Sequence, residues 1–292
     1  MKYAWIDTAR SQYPLERLCA VLNVSSSGYA AWKRGGHVTS RLTDAQLLTL
    51  IRAIHRETKG RYGWPRVWEE LRDRSVPAGK ERVRRLMQAN GIRARHKRKY
   101  KATTDSSHNL PVAANLLNQN FETTRADQVW NADITYIPTA EGWLYLAAVL
   151  DLHTRMIVGW AMGSTMTRQL VVDALRMAWF RRKPKPGLIH HSDRGCQYCS
   201  HDYRQQLKDY GMQASMSRKG NCWDNAPMES FFNSLKNECT HQARYVTREA
   251  AKQETFEYIE LFYNRRRRHS ALGYRSPAAY YAAWLAQQKL AA

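Results

Sequence analysis

The order of secondary-structure elements after position 123 constrains the fold of this chain more than any other feature. Three strand candidates come first, and their short connecting turns are typical of an antiparallel meander; they span 129–138, 143–151 and 155–162. Two helices and two short strands then alternate, at 167–180, 188–191, 201–210 and 213–217, and a further helix opens near Asn225. This alternation predicts an α/β core built on a mixed sheet.

Three acidic residues stand at regular points of that pattern. Asp133 lies within the first strand, Asp193 directly follows the fourth, and Glu229 lies in the first turn of the late helix. Three strands, a helix, a fourth strand and a later acid-bearing helix form the order of an RNase H-like fold of the retroviral integrase type. The sequence therefore predicts that the three carboxylates meet in one site.

Such a trio suits the chemistry of phosphodiester bonds. Two Mg²⁺ ions about 4 Å apart can activate an attacking oxygen and stabilise a leaving one, and Mg²⁺ prefers hard oxygen ligands. We expect two Mg²⁺ or Mn²⁺ ions per site, with Asp133 bridging them and Asp193 and Glu229 as outer ligands whose roles are interchangeable. Lys236 lies seven residues after Glu229, about two helical turns, where it could hold a DNA phosphate.

Each acid also has a purely structural interpretation. Asp133 could be an exposed residue of a half-buried strand, and Asp193 could be an ordinary turn residue before Arg194 and Gly195. Glu229 would be favoured in a first turn by the helix dipole alone. It is the joint order of the acids, together with Lys236, that favours a catalytic site.

Six residues of zinc-ligand type and one further acid, Asp151, are additional candidates for a site. A zinc site is suggested by six ligand-type residues, but they contain a single CxxC pair where a structural zinc site usually shows two, so buried free thiols are favoured; they are His190, His191, Cys196, Cys199, His201 and Cys222. Asp151, at a strand end, is interpreted as a cap for the turn that contains His153 and Thr154 and is left outside the site.

The chain before the α/β core is predicted to be helical and to bind nucleic acid. Residues 1–36 form a short helix-turn-helix segment, and residues 37–101 form a three-helix module resembling a DNA-binding helix-turn-helix. Lys+Arg number 46 against 25 Asp+Glu, a net charge of +21 that favours a polyanionic partner. The alternative is an ordinary solvated helix face. The predicted DNA contacts in this module are Lys80, Arg82, Arg84, Arg85, Arg95, Lys97 and Arg98.

The remaining boundaries follow from composition. Residues 102–122 are predicted to be a linker with one short helix at 112–117, residues 123–240 the catalytic core, and residues 241–292 a C-terminal helix, at 247–263, with a basic tail. In that tail Arg266, Arg268 and His269 are predicted DNA contacts. No apolar run is long enough to span a membrane and the N-terminus does not resemble a signal peptide. An odd number of cysteines, five, indicates a reduced cytosolic compartment.

Several stretches of the chain resemble the second-frame (OrfB) proteins of the IS3 family of insertion sequences, which carry a DDE transposase core. The matching stretches include residues 61–63, 130–137, 141–146, 157–160, 192–198, 224–238 and 263–270. The resemblance implies that Asp133, Asp193 and Glu229 match the catalytic triad and that Lys236 matches the basic residue that accompanies the glutamate.

The resemblance also implies an activity and partners. Such enzymes nick the 3′ ends of the element and join the freed 3′-OH to DNA by transesterification, in DNA integration and recombination. The implied partners are double-stranded DNA (terminal inverted repeats and target), further copies of the chain, and an upstream-frame (OrfA-like) protein, often fused to it by frameshifting. The expected location is the bacterial cytoplasm, in association with the nucleoid. The alternatives are a non-catalytic DNA-binding regulator of transposition and an RNase H-type nuclease.

Overall fold

The computed structural model describes residues 2–34, 42–95, 111–219 and 222–291. Its contacts divide the chain into two compact units, one formed by Met1–Lys59 and Val67–Arg93 and the other by Gly60–Arg66 and Ala94–Ala292. The predicted DNA contacts Lys97 and Arg98 lie outside the described residues.

The first part of the helical unit contains α1 (Lys2–Ala9), α2 (Leu15–Val21) and α3 (Ser26–Lys33). Its small core is formed by Ile6, Leu18, Cys19 and Tyr29. The Ser25 hydroxyl accepts a hydrogen bond from the Gly28 N–H and so caps α3. The helices at α2 and α3 were predicted, whereas α1 was not, because its sequence has no helical periodicity of apolar residues.

The second part contains α4 (Asp44–Glu57), α5 (Trp64–Asp73) and α6 (Lys80–Ala89). Thr43 and Gln46 form a capping box at the start of α4, with bonds in both directions between them. Leu47, Ile51 and Ile54 are buried on α4, and α6 buries Val83 and Met87 while its basic side stays largely exposed. The three-helix prediction is confirmed.

The second unit contains a five-stranded mixed sheet whose strand order is β3-β2-β1-β4-β5. The strands are β1 (Val129–Thr139), β2 (Gly142–Asp151), β3 (Ile157–Gly163), β4 (Ile189–Ser192) and β5 (Gln213–Met216). β1, β2 and β3 pair antiparallel, as predicted, and β4 and β5 pair parallel on the other side of β1. The predicted α/β class with a mixed sheet is confirmed.

Helices surround this sheet: α7 (Arg168–Arg182), α8 (Cys196–Cys199), α9 (His201–Asp209), α10 (Ala226–Glu238), α11 (Arg248–Phe256) and α12 (Pro277–Ala291). Helix α7 packs closely on β3 at Gly159, where an added Cβ would lie 2.2 Å from the Ala174 carbonyl oxygen. Only glycine allows that approach. α10 packs against β1 and thereby reaches the strand that carries Asp133.

Three local predictions were wrong or incomplete. Residues 112–117 form no helix; instead the Leu116 N–H donates to the Ser215 hydroxyl at 2.9 Å, which ties this segment to β5. The helix predicted at 247–263 is α-helical only to Phe256 and continues as a π-helix over Glu257–Tyr263. Helix α12 was not predicted.

The Asn264 side chain attaches the C-terminal segment to the core by pairing with the backbone of β3 as a neighbouring strand would. The Asn264 side chain accepts from the Ile157 N–H and donates to the Ile157 carbonyl, both at 2.9 Å, so it takes the place of a strand neighbour beside β3. The backbone carbonyl of Asn264 accepts a hydrogen bond from the N–H of Ala278 at the start of α12. Among the described helices, none combines the length and the apolar character needed to cross a membrane.

Candidate active site

The register between β1 and β4 brings two of the three predicted acids side by side. These strands are parallel, and Ala132 pairs with Ser192 at the end of the ladder. Asp133 and Asp193 are the next residues on each strand. Because neighbouring strands lie about 4.8 Å apart, the two acids emerge together at the carboxyl end of the ladder.

The backbone around each aspartate fixes its carboxylate. The Asp133 Oδ1 accepts from the Ile134 N–H at 2.7 Å, and the Asp193 Oδ1 accepts from the Gly195 N–H at 3.0 Å. A Cβ on Gly195 would lie 3.1 Å from that same Asp193 oxygen, closer than side chains normally approach. The glycine therefore leaves space beside the carboxylate.

Helix α10 brings the third acid, Glu229, to the same strand. Glu229 lies in its first turn and is exposed, although nearby protein desolvates its carboxyl enough to raise its pKa. Asn225 immediately precedes the helix, is buried, and accepts a hydrogen bond from the Asn131 side chain on β1 at 3.0 Å. This contact fixes the start of α10 on β1.

The electrostatics of Asp133 reflect both of the other acids. Burial raises the pKa of Asp133 well above its usual value, and the negative charges of Asp193 and Glu229 raise it further, against the lowering effects of the Ile134 N–H and of Lys236. A folded protein normally avoids placing like charges together without a counterion. The arrangement therefore favours a cationic ligand.

Lys236 lies on the same helix and faces the same strand. It is buried, and its ammonium lies 5.1 Å from the centre of the Tyr136 ring on β1. Burial lowers the pKa of Lys236 to about 8, against the opposing effect of the Asp133 charge. A poorly solvated ammonium beside carboxylates can form a strong contact with a phosphate.

The donor set has the chemistry of a divalent-metal site. All three acids offer hard carboxylate oxygens, as Mg²⁺ and Mn²⁺ prefer, and their mutual repulsion would be relieved by a cation. Within the described ranges, no three His, Cys, Asp or Glu side chains already stand together as a complete set of metal ligands. Asp133 and Asp193 are the neighbouring pair, and Glu229 is the member supplied by a separate element.

Asp224, next to Asn225, was not predicted to have a role of its own. It is fully buried, and its carboxylate accepts bonds from Asn115, from Gln119, and from both the backbone and the guanidinium of Arg218. The hydrogen bond from the Arg218 side chain holds the pKa of Asp224 well below its usual range. These hydrogen bonds hold the two ends of the loop before α10 together and join residues 115–119 to it.

Glu238, at the other end of α10, was also missed. Its carboxylate accepts three short contacts from the Arg267 guanidinium, of 2.7 to 3.1 Å, and one from the Tyr258 hydroxyl at 2.9 Å. Its backbone carbonyl accepts from Arg61 and Arg95. The stretches around 61–63 and 263–270, which carry the resemblance, therefore meet at the end of the helix that carries Glu229.

The predicted DNA contacts fall into two groups. Four remain on the surface, although the guanidinium of one of them, Arg84, pairs with the Glu81 carboxylate on the same helix: Lys80, Arg84, Arg85 and Arg266. The side chains of another four bond within the protein: Arg82 to Asp44 and the Leu42 carbonyl, Arg95 to Glu238, Arg268 to the Tyr274 carbonyl, and His269 to Arg267 and Tyr263. Burial lowers the pKa of His269 to about 3, so this histidine is neutral at physiological pH.

The two histidines of β4, which are among the zinc candidates, bond other side chains. Both ring nitrogens of His191 bond serine hydroxyls, of Ser215 and Ser217, and His190 bonds the Tyr203 hydroxyl. Cys199 is buried and Cys196 is exposed. The Asp151 carboxylate accepts from the backbone N–H and hydroxyl of Thr154 and so caps the turn between β2 and β3.

Both parts of the chain match known protein families. Residues 123–222 match the family described as the integrase core domain, and residues 210–277 match a second family profile with the same description. Residues 42–100 match the HTH-like domain.

Comparison with individual proteins extends over nearly the whole chain. It is 49% identical over 263 residues to the insertion element IS600 uncharacterized 31 kDa protein of Shigella sonnei, covering 90% of this chain and 97% of that protein. It is 44% identical over 279 residues to the transposase InsF for insertion sequence IS3A of Escherichia coli strain K12, covering 95% and 97%.

Alignments with solved structures are weaker than these sequence matches. A simian T-cell lymphotropic virus intasome in complex with PP2A regulatory subunit B56 gamma aligns with a TM-score of 0.47 at 11% identity, over 79% of this chain and 74% of that chain. The HTLV-2 integrase catalytic core domain in complex with magnesium aligns with a TM-score of 0.43 at 11% identity, over 55% and 99%.

The sheet order, the integrase core match and the long, high-identity alignments agree with one another. The chain has an RNase H-like, integrase-type core that follows an HTH-like helical region, and it belongs to the IS3 family of DDE transposases, the polynucleotidyl transferases of DNA transposition and integration.

Proposed function

We propose that Asp133, Asp193 and Glu229 are the catalytic acids of this transposase and that together they hold two divalent ions, Mg²⁺ or Mn²⁺. The observation that supports this most strongly is the pairing of Ala132 with Ser192, which sets Asp133 and Asp193 side by side, with Asp133 on the strand that the Glu229 helix packs against. Asp133, from the central strand, is the best placed to bridge two ions, with Asp193 and Glu229 outside them. When bound, the ions would activate the attacking oxygen and stabilise the leaving one.

The reaction then needs only positioning and charge on the protein side. In the first step a water oxygen attacks a phosphorus at the element's end, the P–O3′ bond breaks, and a free 3′-OH remains on the element. In the second step that 3′-OH attacks a phosphorus of target DNA, and one phosphodiester bond forms as another breaks. In both steps the departing 3′ oxygen takes up a proton and leaves as a hydroxyl, which balances the proton that the attacking water or 3′-OH loses.

DNA is held, in this proposal, by basic residues of both units. Lys236 holds a phosphate beside the acids, since its ammonium is poorly solvated and close to Asp133. Three exposed basic side chains of α6 contact phosphates of terminal-repeat DNA: Lys80, Arg84 and Arg85. In this proposal Lys97 and Arg98, further along the sequence, also contact phosphates. Arg266 contributes from the core.

The wider setting is proposed from the family. The chain acts on terminal inverted repeats and target DNA as a multimer, together with an upstream-frame protein or as a fusion with it. Its place is the bacterial cytoplasm, on the nucleoid. Its high net charge of +21 supports a polyanionic partner.

A strand-transfer assay tests the proposed triad. Purified full-length chain is incubated with labelled DNA carrying the ends of its element, with Mn²⁺ or Mg²⁺, and nicked and joined products are separated on a denaturing gel. We expect Asp193→Asn to abolish both products, and Asp209→Asn, an exposed aspartate of α9, to leave both unchanged. Wild-type levels of joined product from Asp193→Asn would refute the triad.

Two other outcomes distinguish the remaining alternatives. Cleavage of structured substrates without joined products would indicate a nuclease. Binding of the DNA ends with neither nicking nor joining would indicate that this chain acts as a regulator and that catalysis needs a fused product.

A further inference from the structure

A pair of buried amides joins the two elements that carry Asp133 and Glu229. The Asn131 Nδ2 on β1 donates to the Asn225 Oδ1 at 3.0 Å, and the Asn225 Nδ2 donates to the Ala132 carbonyl at 3.3 Å. Asn131 is fully buried and Asn225 nearly so. We refer to Asn131 and Asn225 as the amide bridge.

Asn225 occupies the N-cap position of α10, yet its side chain does not cap the helix. An asparagine at this position usually accepts from a backbone N–H of the first turn. Here no such side-chain bond is made, and both polar atoms of the amide are directed to β1. The side chain therefore links two elements at the expense of stabilising its own helix.

The spacing of the bridge matches the spacing of the acids. Asn131 is two residues before Asp133, so both side chains project from the same face of β1, about 7 Å apart along the strand. Asn225 is four residues before Glu229, about 6 Å along the helix and on the same side of it. The amide contact therefore lies two residues before Asp133 on the strand and about one turn before Glu229 on the helix.

We propose that the amide bridge positions Glu229 relative to Asp133 and so sets the affinity of the site for divalent ions. This rests on the proposed metal-binding role of the acids. The bridge is uncharged, so it holds strand and helix together without adding to or neutralising the charge of the three carboxylates. Asn131 and Asn225 are positioning residues and do not touch the reacting atoms.

Maximal stability does not explain the choice of amides. The Asn131 Oδ1 is buried and has no hydrogen-bond partner among the described residues. An unpaired buried acceptor is unfavourable, and a pair of apolar side chains of the same shape would avoid it. A positioning role gives a reason for an amide at this place in the strand.

Asn225→Ser separates positioning from stability. Serine is as good an N-cap as asparagine and is free to cap α10, but it is too short to keep both bonds to β1. Ion binding is measured without DNA as the rise in melting temperature with Mn²⁺ concentration, using the full chain. We expect a melting temperature in EDTA within about 4 °C of wild type, and an apparent Mn²⁺ affinity weakened about 10- to 100-fold, as for other residues that orient metal ligands.

Asn131→Thr breaks the bridge from the strand side and remains informative if Asn225→Ser does not fold. The double variant Asn131→Thr/Asn225→Ser should bind Mn²⁺ no more weakly than Asn225→Ser, because Asn225→Ser already removes both bonds and Asn131→Thr removes only the bond between the two amides. Asn264→Ser is the matched control, a buried amide that joins two elements elsewhere in the core. It should lower the melting temperature and leave the Mn²⁺ affinity unchanged.

The outcomes separate this inference from the proposed function. Wild-type Mn²⁺ affinity in both Asn225→Ser and Asn131→Thr would overturn the positioning role, as would additive losses in the double variant. If Asp133→Asn showed the same Mn²⁺-dependent stabilisation as wild type, the proposed metal site itself would be wrong. The expected pattern is no stabilisation in Asp133→Asn and a right-shifted response in the bridge variants.

Discussion

The two ends of helix α10 carry acidic residues in opposite electrostatic settings. At its N-terminal end Glu229 joins Asp133 and Asp193, and their mutual repulsion helps to raise the pKa of Asp133. At its C-terminal end Glu238 meets a guanidinium from Arg267, a second from Arg66 at 3.7 Å, and the Tyr258 hydroxyl. At one end like charges repel one another, and at the other end the charge of Glu238 is paired with guanidinium groups.

The difference separates an acid whose oxygens are already engaged from acids that repel one another. Glu238 is ion-paired and hydrogen-bonded within the protein, whereas the repulsion that Asp133 feels from Asp193 and Glu229 would be relieved by an added cation. Asp224 belongs with Glu238, because Arg218, Asn115 and Gln119 all donate hydrogen bonds to it. Acidic residues that are close neighbours in the sequence thus have unlike roles.

The largest effect on stability is expected from breaking the balanced end. Burial disfavours the charged form of Arg267. The negative charge of Glu238 more than offsets this effect, so the pKa of Arg267 is raised. Glu238→Gln leaves this buried guanidinium without its counter-charge and should lower the free energy of unfolding by about 3–5 kcal/mol. Urea denaturation measures it. Adding Arg267→Met should recover part of the loss, and an unchanged midpoint in Glu238→Gln would mean that the ion pair is not structural.

At the other end of α10, where the acids repel one another, removing a carboxylate is expected to raise the stability of the protein. The folded-state pKa of Asp133 is raised, so the folded chain binds the proton more tightly than the unfolded chain does. Wild-type stability should therefore fall as pH rises from about 4 through the raised pKa. Asp133→Asn removes this fall and should melt roughly 2–4 °C higher than wild type at pH 7 in EDTA, for a gain on the order of 1 kcal/mol, while losing strand transfer.

Melting curves from pH 4 to pH 8 check this prediction, with Asp209→Asn as the control that keeps the wild-type slope. A parallel pH dependence in wild type and Asp133→Asn would show that Asp133 is not subject to the repulsion described.

A smaller effect is expected from Lys236, whose pKa is lowered to about 8. Because a phosphate contact needs the ammonium, DNA affinity should decrease above pH 8, by at most about tenfold per pH unit. Lys236→Arg keeps its charge throughout and should flatten the profile. Fluorescence polarisation in EDTA from pH 7 to pH 9 measures both, and superimposable slopes would remove Lys236 from the DNA contact.

The smallest effect concerns α6. Arg85 is exposed, whereas Arg82 bonds Asp44 and the Leu42 carbonyl. We expect Arg85→Ala to reduce the slope of log affinity against log salt by about 1, as for the loss of one phosphate contact. Arg82→Ala should lower the melting temperature and leave the slope unchanged. The reverse result would exchange the roles of these two arginines.

Much of the fold was predictable because its signals are local. The capping box at Thr43, the apolar periodicity of α4 and the turns between the first three strands depend on residues a few positions apart. Helix α12 and the π-helix at 257–263 were missed because their conformation depends on packing against the core, through contacts such as those of Asn264 and Tyr281. A sequence window contains no trace of such contacts.

The sequence by itself determined the order of the elements, the positions of Asp133, Asp193 and Glu229 within them, and the excess of positive charge. Tertiary structure alone decided that Ala132 pairs with Ser192, which places the two aspartates together, and that Asn225 reaches Asn131 across 94 positions. It also decided which basic residues of 265–269 are internal. Long-range register and burial depend on the whole chain, whereas propensity and periodicity depend on neighbours, and a site assembled from a strand, a turn and a helix depends on both.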